Sequence, residues 1–437
     1  MRRMFLFAVM FLLLLSFAFA TPKIGFDEPT PEDGFVTDNK SVEMNVSITE
    51  SDLSELSWQW DGQNTTLYDD SLIGMWNFDN VAALGENNSF FADISTYGRS
   101  FDCVGYQCPS LYSQGKYDSG IVFNGNDQNI HTGFHKQELD SEEPFTINVW
   151  FKPDGWSGSN NRILSKDTTQ DGRRDEFIVR YEDGNLVLDI RDYNGNHYNI
   201  NSGVSPNIGR WYFLTIRWMP SSPKIEIWLD GTLLKNQEVS TGRLYDDNDR
   251  ELVFGSSSDD YSSGDSLDSF FDGAMDEISI YKRALSEQEV KQLYMSNLRK
   301  YDTDKWQLYV NESNLTNGTY TYQTFANDGA GNKNKTEKRE LTIGTMPLSS
   351  NFQTFPSTTN FSAVEDLSNV ENLSLGSPHG TISFGNNTVN AEGQNYDKNI
   401  VFGDCFVAVN ASDLDYTFNA TAYLLMNNSD GHCGDDT

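Results

Sequence analysis

The stretch FDGAMDEISIYKRALSEQEVKQLY (Phe271–Tyr294) decides the fold, because it has the pattern of a strand that leads into a short helix. Period-two geometry places Met275, Glu277, Ser279 and Tyr281 on one face of the strand and Asp276, Ile278 and Ile280 on the other. Ser286 is followed three residues later by Glu289, the spacing of a capping box. The sequence therefore predicts a strand followed by a helix that begins at Ser286.

Tight-turn dipeptides separate short apolar segments upstream of this stretch. Asp183-Gly184, Asn194-Gly195 and Asp230-Gly231 each lie between two such segments. These dipeptides suit two-residue type I′ turns, which need positive φ at both central positions. Regular short strands joined in this way predict an antiparallel β domain.

The same segments resemble the LamG-like jelly-roll family of the concanavalin A-like lectin/glucanase fold. The family's closing segment is matched by Gly273, Asp276, Glu277, Ile278, Ile280, Tyr281, Arg283, Ala284, Leu285 and Ser286. Its first strand is similar to residues 72–79, and its f-T-i-x-x-W strand is similar to residues 145–151. Residues 115–125 resemble another family stretch, although Asp118 and Ser119 replace its usual small residues. The resemblance implies a jelly-roll sandwich over residues 71–300.

Strand patterns on both sides of this domain predict a second sandwich. The strands of residues 21–70 are too few to close one, and the missing strands follow in residues 301–344. Together these pieces have the usual size of an Ig-like domain, into which the jelly roll is inserted. This arrangement resembles archaeal surface proteins in which a LamG-like domain interrupts an Ig-like module. Residues 345–437 form a β-rich region, which we expect to be an incomplete third domain.

The chain has the features of a secreted or cell-surface protein. Residues 1–20 have a basic start, an apolar run and an Ala-x-Ala cleavage site, which predicts a signal peptide, and no later apolar run is long enough to span a membrane. The net charge of −33 disfavours nucleic acid and either attracts cations or simply keeps the protein soluble. Acceptor sites for N-glycosylation begin at Asn39, Asn45, Asn64, Asn87, Asn311, Asn314, Asn317, Asn334, Asn360, Asn372, Asn386, Asn410, Asn419 and Asn427.

Four cysteines fit an oxidising compartment. Cys103 and Cys108 would close a short disulfide loop, and Cys405 and Cys433 are then the default second pair. A zinc site is the alternative, but the sequence lacks the paired C-x-x-C spacing that such sites use.

A structural Ca²⁺ ion is the leading site hypothesis. In LamG-like domains a carboxylate after the first strand and an Asp of the closing strand bind calcium, and the matching residues are Asp79 and Asp276. Calcium prefers several oxygen ligands. Alternatively, Asp79 caps a turn and Asp276 pairs with an arginine.

Catalysis is the less favoured interpretation. The resemblance extends to glucanases, but their E-x-D-x-x-E strand motif is absent, and Glu176 and Glu277 are interpreted as surface residues. We therefore expect a non-enzymatic protein that binds an extracellular glycan or a cell-surface protein, with a glycoside hydrolase or a purely structural envelope component as alternatives. Candidate sugar-stacking side chains are Trp156, Tyr193, Tyr198, Tyr245 and Tyr261.

Overall fold

The computed structural model describes residues 21–103, 105, 107–135, 137–156, 161–166, 177–245, 250–257 and 270–344, and the backbone of five short strands between 381 and 425. The predicted signal peptide and the proposed Cys405–Cys433 pair lie outside the described residues. The chain divides into two compact units, residues 1–347 and 348–437.

The first unit begins with five strands. These are β1 (Lys23–Asp27), β2 (Phe35–Thr37), β3 (Val42–Thr49), β4 (Leu53–Trp60) and β5 (Gln63–Tyr68).

The jelly roll contains the next sixteen strands, in two main sheets, and a 3₁₀ turn at Ala82–Leu84. They are β6 (Leu72–Trp76), β7 (Phe90–Phe91), β8 (Phe101–Asp102), β9 (Ser110–Tyr112), β10 (Gly120–Asn124), β11 (Ile130–His131), β12 (Phe145–Gly155), β13 (Asn161–Lys166), β14 (Phe177–Glu182), β15 (Asn185–Arg191), β16 (His197–Asn201), β17 (Tyr212–Met219), β18 (Lys224–Leu229), β19 (Thr232–Glu238), β20 (Val253–Phe254) and β21 (Asp272–Tyr281).

A helix and five more strands complete the first unit. They are α1 (Glu287–Tyr294), β22 (Ser296–Lys300), β23 (Lys305–Glu312), β24 (Gly318–Asp328), β25 (Lys333–Lys335) and β26 (Arg339–Ile343). The second unit contains β27 (Thr381–Phe384), β28 (Asn387–Asn390), β29 (Ile400–Gly403), β30 (Phe406–Asn410) and β31 (Thr421–Leu425). In that unit β27 pairs with β28, and β30 lies between β29 and β31.

Two sheets face each other across the core of the jelly roll. The eight-stranded sheet has the order β19-β18-β17-β12-β21-β10-β9, with β6 added beside β21, and the six-stranded sheet has the order β11-β20-β13-β14-β15-β16. Large apolar side chains of both sheets, among them Trp218, Phe151 and Phe254, form one buried cluster. The prediction of an all-β jelly-roll sandwich is confirmed.

The segments that flank the jelly roll form sheets with each other. β3 pairs with β23 from Val42 opposite Glu312 to Thr49 opposite Lys305. β4 pairs with β24 in the facing sheet. The full orders are β1-β3-β23-β22 and β2-β26-β24-β4-β5, with β25 beside β24. Strand β22, which the sequence analysis places at the end of the jelly roll, therefore pairs within the flanking sandwich.

The flanking sandwich packs on the outer face of the eight-stranded sheet. A second apolar cluster joins Trp58 and Leu308 of the flanking sheets to Trp228, Tyr281 and Val290 of the jelly roll and its helix. Hydrogen bonds support this contact, since the Tyr281 hydroxyl donates to the carbonyl of Leu67 at 2.9 Å. The two sandwiches thus share a buried apolar junction.

The turn predictions hold at two of the three positions. Asp183-Gly184 and Asp230-Gly231 have positive φ at both residues, as type I′ turns require. Asn194-Gly195 is different, because only Gly195 has positive φ. The first strand ends at Arg191 and the next begins at His197, so the loop is longer than two residues. The side chain of Asp192 organises this longer loop by accepting the backbone N–H of Asn196 at 2.8 Å.

The closing strand departs from simple alternation. Met275 packs in the same core as Ile278 and Ile280, although strict alternation places it on the opposite face. The cause is a β-bulge near Glu277, whose φ is +51°, where the pairing with β12 shifts register. The predicted orientation of the Met275 side chain is therefore wrong. Helix α1 confirms its prediction, since Ser286 is the N-cap and forms both bonds of a capping box with Glu289.

Candidate functional site

The bulge of β21 places three carboxylates at one edge of the jelly roll. We call Asp79, Asp276 and Glu277 the rim cluster. Asp276 and Glu277 are adjacent in the closing strand, and Asp79 follows β6, which is paired with β21. Asn77, two residues before Asp79, donates to the carboxylate of Glu277. Burial raises the pKa values of Asp276 and Glu277, and the charge of Asp79 adds to this rise. The family resemblance named Asp79 and Asp276 as candidate calcium ligands, but Glu277 was not recognised as a member of this cluster.

Asp276 is fully buried and its carboxylate is held by the backbone. One oxygen accepts the N–H groups of Lys116 at 2.8 Å and Tyr117 at 3.1 Å, and the other accepts the N–H of Glu277 at 2.9 Å. The alternative interpretation, in which Asp276 pairs with an arginine, is not what these contacts show. Burial raises the pKa of Asp276 well above its ordinary value, and these hydrogen bonds only partly offset that rise.

Glu277 is buried as well, with 8% of its surface exposed, so its interpretation as a surface residue is wrong. Its carboxylate accepts one amide N–H of Asn77 and, at 3.0 Å, one of Asn297. Asn77 precedes Asp79 in the jelly roll, whereas Asn297 lies on β22 of the flanking sandwich. The rim cluster therefore lies at the junction of the two sandwiches.

Asp79 lies on a constrained piece of backbone. Its neighbours Phe78 and Asn80 have φ values of +59° and +57°, which are unfavourable for residues other than glycine. Burial raises the pKa of Asp79 to about 7, and the backbone N–H of Ser119 offsets part of that rise. Arg299 is close enough to lower this pKa, but its guanidinium is paired with Asp118.

Three buried oxygens of this region accept no hydrogen bond from the described residues. They are one carboxylate oxygen of Asp79 and the side-chain carbonyl oxygens of Asn77 and Asn297. Buried polar atoms are rarely left without a partner. Oxygen-only donors of this kind match the chemistry of Ca²⁺. Within the described ranges, no group of three His, Cys, Asp or Glu side chains has the spacing of a metal site, so amide or backbone oxygens would have to complete the coordination.

A second group of charged side chains lies on the face of the six-stranded sheet opposite the core. We call Arg180, Glu182, Asp189 and His197 the face cluster. Arg180 forms ion pairs with Asp189 and, at 3.1 Å, with Glu182, and His197 lies 3.2 Å from Asp189. The two carboxylates are thus both held by one guanidinium.

The predicted sugar-stacking aromatics have different environments. Trp156 stacks on Tyr181 at 4.1 Å and packs against the core, and the Tyr198 hydroxyl donates to Asp192 at 3.2 Å, so both have structural contacts. Tyr193 is 56% exposed, with Arg243 over its ring at 4.2 Å. Tyr245 is half-buried, and Tyr261 lies outside the described residues. The predicted Cys103–Cys108 disulfide is present.

The sequence of the jelly roll matches a known family. Residues 124–291 match the family Laminin_G_3, of the concanavalin A-like lectin/glucanases superfamily. The matched range of this Laminin G-like domain includes the bulged strand and the first part of the helix, while Asp79 precedes it. No curated protein matches the chain.

Several solved structures are similar to parts of the chain. Domain 4 of an extracellular arabinanase from Geobacillus stearothermophilus, in complex with arabinotriose, is 17% identical, with a TM-score of 0.37 over 51% of this chain and 97% of that one. The binding domain of Paraclostridial Mosquitocidal Protein 1 is 16% identical, with a TM-score of 0.40 over 59% and 64%. A sialidase from Trypanosoma rangeli is 14% identical, with a TM-score of 0.38 over 52% and 33%.

None of the helical segments in the described residues has the length and hydrophobicity of a bilayer-spanning helix.

Proposed function

We propose that the chain is a non-catalytic recognition protein of the cell exterior, which binds glycan or protein ligands and carries a structural Ca²⁺ ion at Asp79 and Asp276. The observation that carries this proposal is the rim cluster, where acids from distant parts of the chain converge beside buried oxygens without hydrogen-bond partners. A calcium ion there would neutralise the carboxylates and fix the edge of the Laminin G-like domain against the flanking sandwich.

The proposal includes the architecture inferred from the sequence. The pairing of β3 with β23 and of β4 with β24 supports an Ig-like sandwich interrupted by the Laminin G-like domain, as in archaeal surface proteins. The secretion pattern of residues 1–20 and the acceptor sites for N-glycosylation support an extracellular location. Cell fractionation of the full chain tests that location.

The experiment that tests recognition is a glycan array probed with the full chain in calcium and in chelator. We expect calcium-dependent binding, with loss of the signal in the Asp79→Asn variant and retention in an Asp61→Asn control at an exposed turn. A blank array combined with retention at the cell surface would favour a purely structural envelope component.

A glycoside hydrolase is the second candidate, because the face cluster contains two carboxylates near each other. Glycosidases need two carboxyl groups that face one bond of the substrate. Glu182 and Asp189 are instead both paired with Arg180, and burial raises the pKa of Asp189. Hydrolysis of a glycan panel that is lost in both Glu182→Gln and Asp189→Asn would establish the enzyme and overturn the non-catalytic proposal.

A further inference from the structure

A cleft of about 200 Å³ lies where the two sandwiches meet, next to the rim cluster. We call it the junction cleft. Tyr117 and Asp118 line it from the jelly roll, and Asn45, Arg299, Gln307 and Tyr309 line it from β3, β22 and β23 of the flanking sandwich. The cleft therefore exists only when both sandwiches are in place.

Two tyrosine rings give the junction cleft an aromatic wall. The ring centres of Tyr117 and Tyr309 are 5.8 Å apart, and the planes are inclined by 58°. Tyr117 also packs edge-on against Trp150, and the Tyr309 hydroxyl donates to Glu43 at 3.0 Å. The rings are thus held in position before any ligand arrives, which lowers the entropic cost of binding.

The polar groups of the cleft compensate each other in charge. Arg299 donates two hydrogen bonds to the amide oxygen of Gln307, at 3.0 and 2.7 Å, and pairs with Asp118. One guanidinium and one carboxylate leave little net charge for an ionic ligand. The amides of Asn45 and Gln307 can donate and accept hydrogen bonds, as hydroxyl groups require.

We propose that the junction cleft binds one neutral sugar ring, with its apolar face against the tyrosines and its hydroxyls on the amides. The volume supports a single ring, because pockets for drug-sized ligands are larger, about 300–1,000 Å³. This inference deepens the proposed recognition function and rests on it.

The sugar has two possible sources. One is a separate glycan. The other is a sugar attached to Asn45, since Asn45-Val46-Ser47 is an acceptor for N-glycosylation. The amide nitrogen of Asn45 donates to the carbonyl of Glu28 at 2.9 Å, and its second hydrogen permits attachment of a sugar.

Full-length protein from a glycosylating and a non-glycosylating host separates the two sources. Peptide mass spectrometry reads the occupancy of Asn45, and saturation-transfer NMR with calorimetry measures binding of neutral hexoses and N-acetylhexosamines. The Ser47→Ala variant removes the acceptor and keeps every side chain that lines the cleft. If the sugar is a separate glycan, Ser47→Ala protein from both hosts binds a monosaccharide. If the sugar is attached, wild type from the glycosylating host carries a glycan on Asn45 and does not bind a monosaccharide. Ser47→Ala protein from that host then binds the monosaccharide, because the cleft is free.

Tyrosine variants test whether the sugar binds in the junction cleft, and they are made in the Ser47→Ala background. Tyr309→Ala is expected to weaken sugar binding about tenfold or more through loss of the aromatic wall. Tyr309→Phe keeps the ring and controls for stability, so it is expected to bind within about twofold of its parent. Tyr97→Ala, at an exposed tyrosine of the jelly roll that does not line the cleft, is expected to bind as its parent does.

Two results would overturn the inference: equal affinity in Tyr309→Ala and its parent, or no monosaccharide binding together with an unoccupied Asn45. The glycan array of the wild type distinguishes these failures from failure of the recognition function. A positive array with an unaffected Tyr309→Ala variant leaves recognition intact and places it elsewhere. A blank array would reject the recognition of separate glycans. If Asn45 is occupied in the same protein and Ser47→Ala opens the cleft, the inference that the cleft binds a sugar still holds.

Discussion

The rim cluster and the face cluster each contain a fully buried aspartate beside other acidic side chains, and the two clusters stabilise these carboxylates differently. In the face cluster, Asp189 and Glu182 share the guanidinium of Arg180. In the rim cluster, Asp276 and Glu277 have backbone and asparagine N–H donors. Neutral donors stabilise a carboxylate less than a full opposite charge does. The guanidinium of Arg180 therefore compensates negative charge in the face cluster, whereas the rim cluster should take up protons or a cation.

The largest effect should come from Asp276→Asn, which breaks the rim cluster. An asparagine amide cannot accept all the backbone N–H groups that the carboxylate accepts, and each buried donor left without a partner costs about 1–3 kcal/mol. We expect the thermal midpoint of the full chain to fall by roughly 5–10 °C. Scanning calorimetry measures this, with Asp61→Asn as a control expected to stay within about 2 °C. A change in Asp276→Asn no greater than that of the control would show that the backbone bonds contribute little.

Calcium should have the next largest effect. At a concentration of about 100 times Kd, a ligand that binds only the folded state adds about 2.7 kcal/mol. We expect the thermal midpoint to rise by roughly 3–5 °C from chelator to saturating calcium, and less in magnesium, which requires stricter geometry. Asp79→Asn should lose this rise, and Asp189→Asn should keep it. An equal rise in Asp79→Asn would place the ion elsewhere.

The pH dependence should sharpen the comparison further. Burial raises the pKa of Asp79 to about 7, from 3.8 in the unfolded chain. The folded state therefore binds more protons between these values, and the free energy of unfolding falls as pH rises through that window. In chelator we expect urea midpoints to decrease from pH 4.5 to 7.5, with a smaller decrease in Asp79→Asn. Calcium should oppose the decrease. Identical pH profiles for the two proteins in chelator would show that Asp79 titrates normally.

The sequence predicted those structural features that local patterns of residues encode. The capping box at Ser286, the I′ turns at Asp183 and Asp230, and the short disulfide follow from adjacent residue types. The choice of Asp79 and Asp276 as calcium ligands came from the family resemblance and stays a prediction. The bulge near Glu277 did not follow, because its residues fit the alternating pattern of a regular strand. Asn297 was missed because its contact with Glu277 depends on how two sandwiches pack, which no local spacing reports.

The smallest effect should come from Asp189→Asn in the face cluster. Arg180 keeps Glu182 as a partner at 3.1 Å after the change, so no buried guanidinium is left unpaired. We expect a loss of about 1 kcal/mol, because the cost of burying the carboxylate, which raises its pKa, offsets much of what the ion pair contributes. Chemical denaturation in calcium and in chelator measures it, and the loss should be the same in both. A loss that depends on calcium would mean that the two clusters are coupled through the jelly roll, and a loss as large as that of Asp276→Asn would mean that Glu182 does not replace Asp189 as the partner of Arg180.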